Sequence, residues 1–176
     1  MTFQETRLPG VMLVDGARFP DARGTFEVAW QQQAFGARGL ETTIAQLNVA
    51  TNQRRGTVRG MHYQTAPFEE VKLIRPIRGA VFDVAVDLRP ASPTFRQWVG
   101  VKLSADEGRM LYVPPGCAHG YQTLEDDTAV LYSVSAPYSP PHQRGFRWND
   151  PAIGIEWPLG APSVIDPRDA SYPDLV

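Results

Sequence analysis

Six segments of the chain alternate between apolar and polar positions, or run as short β-branched stretches, with a period of two. Residues 43–50 place Ile44, Gln46 and Asn48 on one face, with Ala45, Leu47 and Val49 on the other. Residues 81–88 place Phe82, Val84, Val86 and Leu88 opposite Val81, Asp83, Ala85 and Asp87. Residues 71–77, 98–103, 110–113 and 129–134 are β-branched or aromatic-rich and bounded by Gly, Pro or acidic turns. Strands at this spacing predict an all-β sandwich or barrel. Helical character is confined to residues 28–35, after an N-terminal hairpin, and to a turn around residues 104–108. Beyond Pro137 the pattern weakens, but Trp148, Ile153, Ile155 and Trp157 predict that this segment packs down. No repeat or linker divides the chain, so residues 1–176 are expected to form a single domain.

On several strands polar side chains share a face: Gln46 with Asn48, Asp83 with Asp87, Glu70 with Lys72. One explanation is a solvated sheet face. The other is a polar cavity inside the barrel, where a ligand would bind.

Composition narrows the partners. The 15 Gly and 16 Pro make up about 18% of the chain, against roughly 12% in average usage, which favours strands and turns over long helices. Seventeen basic and nineteen acidic residues give a net charge of −2, no field for coating a nucleic-acid polymer. No apolar run is long enough to span a membrane, and residues 1–10 lack a signal-peptide core. A single cysteine, Cys117, fits a reducing, cytoplasmic setting. Only two lysines occur, Lys72 and Lys102; every other basic residue is Arg.

Of the three histidines, His142 lies in a Pro-rich loop and reads as solvated. His62 and His119 sit in Arg59-Gly60-Met61-His62-Tyr63-Gln64 and Pro114-Pro115-Gly116-Cys117-Ala118-His119-Gly120. The order His62-x-Gln64, Glu70, Gly79, then His119 resembles the two motifs of the cupin superfamily, a jelly-roll barrel. Metal-binding cupins place a second histidine where Gln64 stands, and Lys72 disfavours a cation close by, so a metal-dependent cupin enzyme is the weaker reading. Without metal, His62 is the natural base, because imidazole titrates near neutral pH. Asp83, Asp166 and Asp169 are equal candidates for the carboxylate that fixes its tautomer. Lys72 could stabilise charge developing on an oxygen, and Tyr132 could donate a phenolic proton.

A longer series makes the likeness specific. Asp21-Ala22-Arg23-Gly24-Thr25-Phe26, Gln46-Leu47-Asn48, residues 58–64, Lys72-Leu73 and residues 83–89 come first. Ser92-Pro93-Thr94-Phe95, residues 114–120, Trp148-Asn149-Asp150-Pro151 and Asp166-Pro167-Arg168-Asp169 follow in order. The series resembles the dTDP-4-dehydrorhamnose 3,5-epimerase family over about residues 5–172. The resemblance implies a cupin-type jelly roll with a few short helices. It also implies inversion of carbons 3 and 5 of a nucleotide-linked 4-keto-6-deoxyglucose, with neither cofactor nor metal. His62 would be the base, Asp169 its orienting partner, Lys72 the neighbour of the keto oxygen, and Tyr132 the acid on the opposite face. Arg23 and Arg59 would hold the diphosphate. Tyr138 would stack on the base and Phe26 would touch the nucleotide, with Gln46, Asn48, His119 and Gln143 lining the pocket. A homodimer with exchanged strands is implied, so Arg23 and Phe26 could serve the partner's site. Mono-epimerases and enzymes for other nucleotide-linked 4-keto sugars share these motifs and remain alternatives. Val28 and Gln143 stand where the family has glutamates, and Arg168 where it has lysine.

Overall fold

The computed structural model describes residues 1–175. In chain order the elements are β1 (Thr2–Glu5), β2 (Met12–Asp15), β3 (Ala17–Asp21), β4 (Gly24–Val28), α1 (Gln32–Gly36), β5 (Gln46–Asn52), β6 (Thr57–Gln64) and β7 (Lys72–Arg78). Then come β8 (Ala80–Asp87), β9 (Trp98–Ser104), β10 (Arg109–Val113), β11 (Cys117–Thr123), β12 (Thr128–Val134), β13 (Gln143–Gly145), β14 (Val164–Ile165) and α2 (Pro167–Ser171). One sheet runs β1-β2-β10-β7-β12-β5 and the other β13-β6-β11-β8-β9, with β14 added in parallel to β6. The expected jelly roll with two short helices is what forms.

Ile74, Leu111 and Val113 of the first sheet meet Val81, Ala85, Leu103 and Tyr121 of the second in the interlayer core. The outer face of the second sheet is covered too. Phe146, Ile153 and Trp157 pack on Val58, Val84 and Val86, so the weakly patterned C-terminal stretch is a packed layer. Both faces of β8 are therefore dry: Asp83 and Asp87 are fully buried. The solvated-face explanation fails for them. Asp87 instead anchors the turn after β8, accepting from Arg89 Nε at 2.8 Å and Thr94 Oγ1 at 2.7 Å.

The helical stretch differs from the expectation. Val28 is the last residue of β4 and pairs with Ala17 across a hairpin, and Gln31 is extended, so the helix begins only at Gln32. Pairing with β3 overrides the weak local propensity. Glu27 faces inward from this hairpin and makes two hydrogen bonds with Arg75, at 2.7 and 3.1 Å, which ties the hairpin to β7.

β5 is an edge strand with inverted polarity. Gln46 and Asn48 turn toward the space between the sheets, while Leu47 and Val49 are 63% and 58% exposed. The hairpin residues Phe19 and Phe26 are exposed as well.

Candidate active site

The cavity between the sheets has a volume of about 770 Å³. It receives Gln46, Asn48, Lys72 and Tyr132 from the first sheet, and Arg59, His62, His119 and Gln143 from the second. Tyr138 and Asp169 complete the wall. Of the residues singled out in the sequence, Arg23 and Phe26 stand apart. They lie on the exposed β3–β4 hairpin and do not line this cavity. Arg23 pairs there with Asp21 at 2.6 Å.

Arg59 and His62 are three residues apart on one strand, so regular pleating would send them to opposite faces. A bulge resolves this. His62 pairs with His119 but Arg59 with Tyr121, so β6 carries one extra residue there. Two glycines make the bulge possible. Gly60 has φ +122°, and a Cβ on it would lie 2.7 Å from Gly120 Cα, a contact no side chain tolerates. Met61 is thereby turned into the outer core, and its neighbours face the cavity.

Asp169 binds at this bulge. Its Oδ2 accepts the Gly60 N–H at 3.0 Å and its Oδ1 lies 2.8 Å from His62 Nε2. A carboxylate at this distance accepts from Nε2–H, the tautomer that leaves the Nδ1 lone pair free, and among the described residues Nδ1 has no hydrogen-bond partner. The structure thus separates the three candidate carboxylates. Asp83 pairs with His119 Nε2 at 2.8 Å, and Asp166 caps α2 by accepting the Arg168 N–H.

Asp169 is buried, which raises its pKa, but bonds from His62 and Gly60, the charge His62 carries once protonated and the charge of Arg168 bring it below the ordinary value. A depressed carboxylate stabilises the fold above its unfolded pKa, near 4, and loses that contribution as pH falls through the folded value. Asp169→Asn is therefore expected to flatten part of the stability loss as pH falls below about 4, measured by urea unfolding at a series of pH values.

Lys72 is buried, with Nζ 3.2 Å from Glu70 Oε1 and donating to the His62 carbonyl at 3.4 Å. Glu70 is held in turn by Gln64 Nε2 at 3.1 Å. The two Nε2 hydrogens of Gln64 are shared among Glu70 and the Phe68 and Pro137 carbonyls, and its Oε1 accepts the Ser139 N–H at 2.7 Å. Its amide is therefore fully engaged in positioning other groups. No cluster of three or more His, Cys, Asp or Glu able to hold a metal ion occurs among the described residues. Burial raises the Tyr132 phenol, Arg59 pulls it down and Glu70 raises it further. It stays above its ordinary value, so the hydroxyl keeps its proton at neutral pH.

Glu70 and Arg168 also line this cavity, and Asp83, a candidate partner for His62 in the sequence, instead supports it through His119. Glu70 precedes β7 and pairs with Lys72 two residues on, a spacing visible in the sequence; the Asp83–His119 pairing depends on register. Val28 is not among the lining residues, and Glu27 is taken up by Arg75. Gln143 does line the cavity, and its Oε1 is buried without a hydrogen-bond partner.

Comparison with known proteins agrees with this architecture. The family model for dTDP-4-dehydrorhamnose 3,5-epimerase matches residues 5–176. The chain is 44% identical to the dTDP-4-dehydrorhamnose 3,5-epimerase of Sinorhizobium fredii, over 99% of this chain and 90% of that one. It superposes on the Bacillus anthracis enzyme of that name, crystallised with TDP and PPi, with a TM-score of 0.95 and 40% identity over 99% of both chains. It also superposes on ChmJ, a 3'-monoepimerase from Streptomyces bikiniensis in complex with dTDP-quinovose. There the TM-score is 0.90 and the identity 31%, over 97% of this chain and 86% of that one. With its bulged histidine strand and two-sided polar cavity, the chain belongs to the dTDP-4-dehydrorhamnose 3,5-epimerase family.

Proposed function

We propose that this protein inverts carbons 3 and 5 of a dTDP-linked 4-keto-6-deoxyglucose by proton removal and return beside the ketone, in the cytoplasm and without a cofactor. The observation that carries the reading is His62, paired with Asp169 of α2, on one sheet and Tyr132 with Lys72 on the other, across one cavity. His62 Nδ1 takes the proton from the carbon, and the electron pair moves through the enolate onto the ketone oxygen. Lys72 stabilises that oxyanion. The Tyr132 hydroxyl then protonates the carbon from the other face, and solvent resets both groups. Two groups on opposite walls are what inversion requires, because a single base would return the proton to the side it came from. Arg59 suits the diphosphate and Tyr138 the base, while Gln46, Asn48, His119 and Gln143 contact nucleotide and sugar.

A homodimer completes the site in this reading. Leu47 and Val49 on the edge strand β5, and Phe19 and Phe26 on the β3–β4 hairpin, are exposed apolar side chains, which a second copy would bury. The hairpin then delivers Arg23 and Phe26 to the partner's cavity. Co-expressing His62→Ala with Arg23→Ala is expected to restore activity that neither variant has alone, since one site of each mixed dimer is intact. Failure to complement, with a dimer present by sedimentation, would place Arg23 in its own subunit's chemistry or in none.

The reaction is tested by incubating the protein with the dTDP-4-keto sugar and counting inverted centres by NMR. Inversion at both carbons is expected. Inversion at carbon 3 alone would align the protein with the monoepimerase relative.

A further inference from the structure

The segment Arg147-Trp148-Asn149-Asp150 lies outside the cavity wall and has no part in the chemistry above. It grips residues 172–175, which directly follow the helix that carries Asp169. Arg147 donates from Nε and a terminal nitrogen to the two Asp174 carboxylate oxygens, both at 2.7 Å. Its backbone N–H donates to the Pro173 carbonyl at 3.2 Å. Asp150, only 1% exposed, accepts the Leu175 N–H on Oδ2 and the Ala152 N–H on Oδ1 at 2.7 Å. Between the grip and the helix, the Tyr172 ring lies so close to Gly145 that a Cβ there would sit 2.6 Å from it. Gly145 is the strand partner of His62, and the Tyr172 and His62 rings meet edge-on at 6.0 Å.

Helix α2 has five residues, far too few to hold its own geometry. Its N-terminal end is fixed by the β14–β6 pairing and the Asp166 cap. Its C-terminal end has the grip by Arg147 and Asp150. We infer that Arg147 and Asp150 are positioning residues for the base: by clamping residues 172–175 they hold α2 so that Asp169 stays on His62 Nε2 and Gly60 N–H. The inference rests on the reading of His62 as base. The chain of contacts runs from Asp150 and Arg147, through the segment after α2, to Asp169, and no member before Asp169 faces the substrate.

The half-exposed Arg147–Asp174 pair allows a test that leaves the core alone. Arg147→Asp and Asp174→Arg each place like charges at the clamp, and the double exchange Arg147→Asp/Asp174→Arg restores opposite ones. Each single variant is expected to lose about 10- to 100-fold in kcat, the scale of a misplacement of roughly 1 Å at a reacting group, while KM moves far less. The sheltered His62 Nε2–H proton resonance should disappear in each single variant. Both kcat and the resonance should return in the double variant. Thermal unfolding of each variant separates this from simple loss of fold. Single variants with wild-type kcat and an intact resonance would overturn the inference, as would a loss no larger than the drop in folded fraction. The resonance reports the clamp even if His62→Ala proves active; that result would sink the base assignment instead.

Discussion

His62→Ala is expected to abolish deuterium exchange from solvent at both carbons beside the ketone, lowering turnover by about 10²- to 10⁴-fold. His62 has its Nε2 proton committed to Asp169 at 2.8 Å, so the ring presents one unprotonated nitrogen. The other cavity histidine is held the same way by a different carboxylate, Asp83, also at 2.8 Å. A structural collapse is an alternative source of activity loss, and His62→Gln controls for it by keeping an N–H donor for Asp169 while removing the base. Both variants should lose exchange, and both should still bind dTDP, since Arg59 and Tyr138 are untouched. Wild-type exchange in either would remove His62 from the reaction.

Replacing the Lys72 ammonium is expected to cost about 10²- to 10³-fold in kcat, the usual effect of losing one donor to a developing oxyanion. Lys72→Met alone confounds two effects. Glu70 sits about 10% exposed against Lys72, and stripping its partner leaves a buried charge that costs about 3–5 kcal/mol of stability. Lys72→Met/Glu70→Gln separates them. The double variant should regain most of the stability in urea unfolding, because the new amide hydrogen-bonds without charge, yet remain as slow as the single one. A double variant that recovers kcat would mean Lys72 matters only for holding Glu70.

The strands that were legible in the sequence are those whose two faces differ chemically or that run as pure β-branched stretches, such as β8 and β12. β6 and β11, the strands that carry His62 and His119, left no periodic trace. Each contains a glycine where these two paired strands press closest, and the bulge between them breaks the period of two. Without that bulge, spacing alone would separate Arg59 from His62. The choice among Asp83, Asp166 and Asp169 was likewise closed to spacing, since Asp169 reaches His62 across 107 residues of chain. Residue chemistry already offered Asp169 and Tyr132 as candidates, but only the resemblance, carried by ordered motifs, chose Asp169 among the three carboxylates and gave Tyr132 its face. The same motifs mixed chemistry with architecture: Asp87, Ser92 and Thr94 build one buried turn. The inverted polarity of β5 was visible from the start, with Gln46 and Asn48 on one face, but only the exposure of Leu47 and Val49 gives its outer side a meaning.

Abstraction from one wall of the cavity and reprotonation from the other should leave a stereochemical signature. The stereochemical fate of deuterium in the Tyr132→Phe variant tests it most directly. Incubated with the 4-keto sugar nucleotide in deuterated water, this variant should still exchange protons beside the ketone through His62, with the configuration retained. Inversion by Tyr132→Phe at the wild-type rate would contradict the account.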